Sequence, residues 1–206
     1  MSLAALMQGA GHQVYWVSEG RSSATIDRAS RSGLRDAGTL ANLCAECSVI
    51  ISICPSHAAE TIAEQVAALG FTGLYLDANA IAPQKALRIS GVLTQAGATF
   101  VDGGIIGGPE FAADKTCLFL SGPGAEEVSE CFPTGPMQTR VVGAAIGQAS
   151  ALKLCASAYT KLDAALICAS LAGAEKWNVL RTLEEHWTET DPQFASYMGP
   201  RARGVS

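Results

Sequence analysis

The sequence predicts an α/β fold, a doubly wound parallel sheet followed by an all-α C-terminal segment. Three observations point that way. Short apolar runs alternate with helical stretches through about residue 145, the order that a parallel sheet with helical crossovers produces. The run Val49–Cys54, closed by Pro55, is apolar apart from Ser52, and the run Leu74–Asp77 is apolar up to Asp77, as strands covered on both faces are. From Gln148 to Trp187 no turn signal is stronger than Gly173, and Ala, Leu and Lys dominate at helical spacing. The boundary is expected near residues 143–147, giving an α/β domain over 1–145 and a helical domain over 146–206.

The elements follow in order. Leu3, Leu6 and Met7 form the tail of an amphipathic helix stopped by Gly9-Ala10-Gly11. His12–Val17 reads as a strand, the polar residues 18–23 as a loop, and Thr25–Ser32 and Leu40–Glu46 as helices. After the strand at 49–54, His57–Leu69 is helical, with Ile62, Val66 and Leu69 on one stripe. Pro83–Ala96 is a helix with its proline at an allowed first-turn position. Thr99–Asp102 is a strand leading into the glycine-rich residues 103–109. Short strands at Cys117–Leu120 and Thr139–Val142 flank a helix near Ala125–Cys131. One long helix to about Ala174 and another over Lys176–Trp187 complete the reading.

Composition narrows the function classes. Of 206 residues, 49% are apolar and 16% charged, the reverse of a disordered chain. The formal net charge of −5 argues against nucleic acid or an anionic membrane as the main partner. The mean hydropathy is +0.23, yet unbroken apolar runs fall well short of the ~18 residues of a membrane span. The first residues lack a basic start and an apolar stretch. A cytoplasmic chain is expected. Its seven cysteines sit mostly in apolar strings, as free core thiols do in a reducing compartment. Cys44 and Cys47 have CxxC spacing, but no second pair or nearby His completes a set, so no metal site is expected.

Two stretches carry a resemblance. The first is Phe100-Val101-Asp102-Gly103-Gly104-Ile105-Ile106-Gly107-Gly108-Pro109. The second is Gly147-Gln148-Ala149-Ser150-Ala151-Leu152-Lys153-Leu154-Cys155-Ala156-Ser157, at the start of the long helix. Together they resemble the β-hydroxyacid dehydrogenase superfamily, which includes 6-phosphogluconate and 3-hydroxyisobutyrate dehydrogenases. Ala158-Tyr159-Thr160-Lys161 after Lys153 makes the likeness closest to a branch with an uncharacterised helical C-terminal domain.

The resemblance implies a Rossmann-like domain and an NAD(P)-dependent oxidoreductase. Hydride would pass between nicotinamide and a small hydroxy or oxo acid. Lys153 stands at the family's general acid/base, a role a lysine can fill when its surroundings lower its pKa. Gly107 and Gly108 match the substrate loop, where bare backbone N–H groups can hold a carboxylate, although a tight turn also needs glycine. Ile106 replaces that loop's serine. Ser157 replaces the second asparagine of the helix motif and lies one turn from Lys153, as a substrate-binding hydroxyl.

On the cofactor side, Cys54-Pro55-Ser56 and Asp77-Ala78-Asn79 end parallel strands where a dinucleotide crevice lies, and both resemble the family's cofactor-contacting loops, Asn79 among them. Ser18 stands at the position of the ribose-binding acid, followed by Glu19 and Arg21-Ser22-Ser23. Arg21 and Ser22 favour NADP over NAD, with Glu19 as the counter-argument. The family's helical domains further imply a homodimer.

No Gly-x-Gly-x-x-Gly precedes residue 12. The family's first strand and glycine loop would need about 10 to 15 further residues, so they are expected to be missing from the domain. The helical domain is likewise expected to be incomplete. The alternative to an enzyme is therefore an inactive fragment, or a non-catalytic dimerising module, of the same lineage.

Overall fold

The structure is a computed structural model and describes residues 3–107, 116–132, 137–191 and 193. The chain enters through α1 (Leu3–Gly9), β1 (Tyr15–Trp16), α2 (Ser23–Arg31) and β2 (Arg35–Asp36). It continues through α3 (Leu40–Glu46), β3 (Val49–Ser52), α4 (Ala59–Ala68), β4 (Leu74–Asp77), α5 (Pro83–Gln95) and β5 (Thr99–Ile106). Then come β6 (Thr116–Ser121), α6 (Ala125–Glu130), β7 (Met137–Gly143), α7 (Gln148–Lys176) and α8 (Leu180–Thr190). The chain divides into two compact units, Met1–Leu154 and Cys155–Ser206.

In the first unit β3 to β7 form one five-stranded sheet in sequence order, parallel except between β5 and β6. β4 and β5 lie inside it, and their side chains alternate between two apolar layers. Leu74, Leu76 and Val101 pack with Leu3, Leu6 and Met7 of α1 and with Ala125 and Val128 of α6. Tyr75 and Phe100 face the opposite way, onto Ala63 and Val66 of α4 and Ile89 and Leu93 of α5. Leu76 and Val101 are fully buried, and each such side chain stabilises by about 1.5–3 kcal/mol relative to exposure. The expected α/β architecture with helices on both faces is the one observed.

Several boundaries differ from the sequence reading. Strand β2 was not anticipated, since Arg35 and Asp36 are polar and exposed; it pairs in parallel with β1 in a separate two-stranded sheet. The strand expected over His12–Val17 is confined to Tyr15–Trp16 because its partner is equally short. β5 does not stop at Asp102: residues 103–106 continue it, paired antiparallel with β6. Gly104 is needed there for close approach, since an added Cβ would lie 2.9 Å from the Ala149 carbonyl oxygen and 3.0 Å from Cβ of Lys153.

The second unit holds most of α7 and all of α8. Gly173 does not interrupt α7; the stop is Asn178, whose φ of 56° is left-handed, a conformation asparagine tolerates at a helix end. α8 is clipped along its surface by an Arg181–Glu185 ion pair of 2.8 Å, one turn apart. Among the described residues α7 is the helix long and apolar enough, by length and composition, to cross a membrane, with a mean hydropathy of 1.3 in its most apolar window.

Candidate functional site

The C-terminal ends of β3 and β4 lie in register with the middle of β5, so Ser52 stands beside Asp77, Asp77 beside Asp102, and Asp102 beside Ser121 of β6. All four are buried. Buried polar groups need partners, and the partners here shape the surrounding loops.

Asn79 organises the loop after β3. Its side-chain oxygen accepts the Cys54 N–H at 2.6 Å, and its side-chain nitrogen donates to the Ser52 hydroxyl at 3.1 Å. Nζ of Lys85, in the first turn of α5, donates to the Ser56 carbonyl at 3.0 Å. Cys54-Pro55-Ser56 is thus held from both ends, with Pro55 and Ser56 exposed. Asn79 itself is buried, so it positions the loop through Cys54 and does not reach outward.

Asp77 is the least comfortable member of the row. One carboxylate oxygen accepts the Asn79 N–H at 2.9 Å, while the other is buried without a hydrogen-bond partner among the described residues. Burial holds its carboxyl above the usual range, and the nearby Asp102 carboxylate pushes the same way, against the hydrogen bonds from Asn79.

Asp102 is fully partnered. Its Oδ2 accepts the N–H of Gly147 at 3.1 Å, the N–H of Ser150 at 2.9 Å and the Ser121 hydroxyl at 3.1 Å. Its Oδ1 accepts the Ser150 hydroxyl. Ser121 Oγ in turn accepts the Ala149 N–H at 3.1 Å. The first N–H groups of a helix have no partner within it, and a carboxylate there also meets the positive end of the helix dipole. Asp102 and Ser121 therefore fasten the start of α7 to the middle of β5 and the end of β6. Lys153 follows one turn later, half-buried, with its Cβ against Gly104.

The expected site residues fall into separate places. Cys54, Pro55, Ser56 and Asn79 are brought together, and Lys153 is brought to β5. Arg21 and Ser22 lie exposed between β1 and α2, where Ser22 is the N-cap residue and its hydroxyl is 3.2 Å from that of Thr25. Gly107 is exposed just beyond β5 with a φ of 138°, suited to glycine. Gly108 lies outside the described residues. Ser157 lies on α7 within the second unit. The hydrogen bonds that join Asp102 to Ser121 and Ser150 were not read from the sequence. The available signal was an acid closing a buried apolar run in each of two successive strands.

Residues 1–134 match the family described as the NAD binding domain of 6-phosphogluconate dehydrogenase. An uncharacterized 28.5 kDa protein of Methanothermus fervidus is 27% identical over 173 residues, covering 84% of this chain; the chain spans 66% of the length of that curated relative. Among solved structures, one conserved protein of unknown function, reported as structurally similar to 3-hydroxyacid dehydrogenases, aligns with a TM-score of 0.77 at 26% identity over 98% of this chain and 76% of its own. The 3-hydroxyisobutyrate dehydrogenase of Mycobacterium tuberculosis, solved with L-serine, aligns with a TM-score of 0.74 at 21% identity over 91% of this chain and 66% of its own, a likeness of fold.

Proposed function

Because the chain belongs to the family of the 6-phosphogluconate dehydrogenase NAD-binding domain, we propose that it serves an NAD(P)-dependent oxidoreductase of the β-hydroxyacid dehydrogenase type. The observation that carries this reading is the tie from Asp102 to Gly147 and Ser150, which sets Lys153 against Gly104 at the far end of β5.

The residues present fit a nicotinamide dinucleotide in kind. Cys54-Pro55-Ser56 is a held loop at the end of a parallel strand, with Pro55 and Ser56 exposed, the place where such folds line the dinucleotide crevice. Arg21 and Ser22 offer an exposed guanidinium and hydroxyl in the loop after β1, a donor pair suited to a phosphate. That supports NADP over NAD. A bound nicotinamide supplies the hydride chemistry. The chain's own part is to orient and to move a proton: Lys153 would exchange one with the oxygen of a small hydroxy or oxo acid. The backbone N–H of Gly107 would hold its carboxylate.

A fluorescence titration of the 206-residue chain with NADPH and with NADH tests this reading. Saturable micromolar binding, tighter for NADPH, is expected; no binding of either dinucleotide overturns it.

A second reading rests on the second unit. Tyr159, Leu162 and Leu166 on α7 are 68%, 64% and 70% exposed in the single chain, and such a stripe suits burial against another copy. Under that reading the chain is a dimerising, non-catalytic member of the lineage. Sedimentation of a dimer that binds neither dinucleotide would favour it. Cytoplasmic residence fits both readings.

A further inference from the structure

The two faces of β6 and β7 carry different chemistry. Thr139 and Val141 of β7 face α6: the Thr139 hydroxyl lies 2.7 Å from that of Ser129, and Val141 packs on the apolar layer that holds Leu118 and Leu120. Side chains alternate along a strand, so Arg140, between them, points to the opposite face, where it is exposed. Register fixes its neighbours there. Arg140 stands beside Phe119 of β6, and Phe119 beside Gly104 of β5. Gly104 is the residue against which Cβ of Lys153 packs. Gly104 and Arg140 are two strand spacings apart, about 10 Å. Lys153 and Arg140 therefore flank one strip of the sheet, all of it within the first unit.

The strip between them suits a short carbon chain. Phe119 and Cys117 lie half-buried along it, with Ile106 beside Cys117. Burial pushes the Cys117 thiol up, and the Arg140 guanidinium acts against that push. The positive charge is thus felt toward the end of β5, where Gly107 follows. Asp102, the acid on the same face, is already satisfied by Ser121, Gly147 and Ser150. Among the described residues neither Lys153 nor Arg140 makes an ion pair. Two cations on one face with no carboxylate between them repel each other, and an anionic ligand relieves that repulsion.

We propose that Arg140 is a specificity-determining residue that holds a second carboxylate of the substrate, so that the acid acted on at Lys153 is a short hydroxy or oxo diacid lying over Phe119. The inference rests on the reading of Lys153 as the acid/base and deepens it. The planar guanidinium takes a carboxylate through two parallel N–H bonds, and the Phe119 ring gives the intervening methylene groups an apolar floor. A monoacid of the same skeleton would gain the contacts near Lys153 and none at Arg140.

The test uses the full 206-residue chain, with and without NADP, and calorimetric titration with two acids. One is 3-hydroxypentanedioate; the other is 3-hydroxybutanoate, which keeps the hydroxyl and one carboxylate and lacks the second. The diacid is expected to bind at least about tenfold more tightly, with a preference that shrinks as salt is raised. Arg140→Leu, at an exposed position, is expected to weaken the diacid by about tenfold and the monoacid by less than about twofold. Equal affinities for the two acids, equal losses in the variant, or no binding of either acid overturns the proposal. Turnover separates it from the reading beneath it. Lys153-dependent oxidation of the monoacid with no advantage for the diacid leaves the oxidoreductase reading standing and removes the role of Arg140. An Arg140-dependent preference for the diacid in a chain that binds neither dinucleotide supports the carboxylate site and overturns the oxidoreductase reading instead.

Discussion

The carboxylate of Asp102, inside β5, takes both the backbone N–H and the hydroxyl of Ser150 in the first turn of α7. That relationship sets where the long helix starts, and with it the position of Lys153. Asp102→Ala would leave the Gly147 and Ser150 N–H groups and the Ser121 hydroxyl buried without an acceptor. A loss of about 3 kcal/mol or more is expected in urea denaturation. Ser150→Ala, which takes the hydroxyl donor from the buried Oδ1 of Asp102 and keeps the backbone bond, should cost about 1.5–3 kcal/mol.

Gly104 is the point at which α7 meets the sheet. Gly104→Ala would set a methyl against the Ala149 carbonyl and Cβ of Lys153 at 2.9 and 3.0 Å, forcing helix and strand apart. The expected cost is about 1–3 kcal/mol, read as a lowered Tm. Gly91→Ala, on the surface of α5 with open space around it, should stabilise slightly by helix propensity and serves as the control.

Asp77 gives a dependence on pH. Its folded pKa is raised by burial. An acid raised in this way favours the folded state below its unfolded pKa, and that contribution is lost as pH rises through the folded value. Asp77→Asn keeps an acceptor for the Asn79 N–H and removes the charge. The variant should be more stable than the parent at neutral pH, and the gain should shrink as pH falls through the raised folded value toward the ordinary carboxylate range. Thermal melts across that range would show it; a gain independent of pH would remove the electrostatic cause.

Arg21 tests the choice of dinucleotide. Arg21→Ala is expected to weaken NADPH by about tenfold and NADH by less than about twofold. Equal losses in the two titrations would mean that Arg21 is not a 2′-phosphate ligand.

Lys153 tests the chemistry. In Lys153→Met, turnover of NADPH with a panel of small 3-oxo acids should fall by at least about a hundredfold, with NADPH affinity nearly intact. Unchanged turnover would remove the lysine from the acid/base role.

Much of the fold was legible because its causes are local. The apolar runs at Val49 and Leu74 became strands covered on both faces, and Pro83 marked the first turn of α5 where its missing N–H does no harm. β2 was illegible for the opposite reason: Arg35 and Asp36 are exposed, so no apolar pattern marks them, and only the pairing with Tyr15 and Trp16 makes them a strand. Gly103 and Gly104 read as loop because glycine commonly breaks strands, whereas here their lack of side chains admits Leu76 and α7. In the candidate site, Cys54, Pro55, Ser56 and Asn79 were expected from their places at strand ends, and the structure brings them together. The buried role of Asn79 depends on contacts across 25 and 27 residues of sequence, which spacing alone does not reveal.

The separation of β1 and β2 from the main sheet has a consequence for cooperativity. Among the described residues no backbone ladder couples the pair to β3; longer-range ties run through contacts such as the His12 ring on the Cys131 carbonyl at 3.0 Å. Hydrogen exchange should therefore resolve the first unit into two classes of amide. Those of β4 and β5, paired on both sides, exchange only when the whole unit opens, while those of β1 and β2 exchange through local opening of far lower free energy. The small sheet behaves as its own foldon.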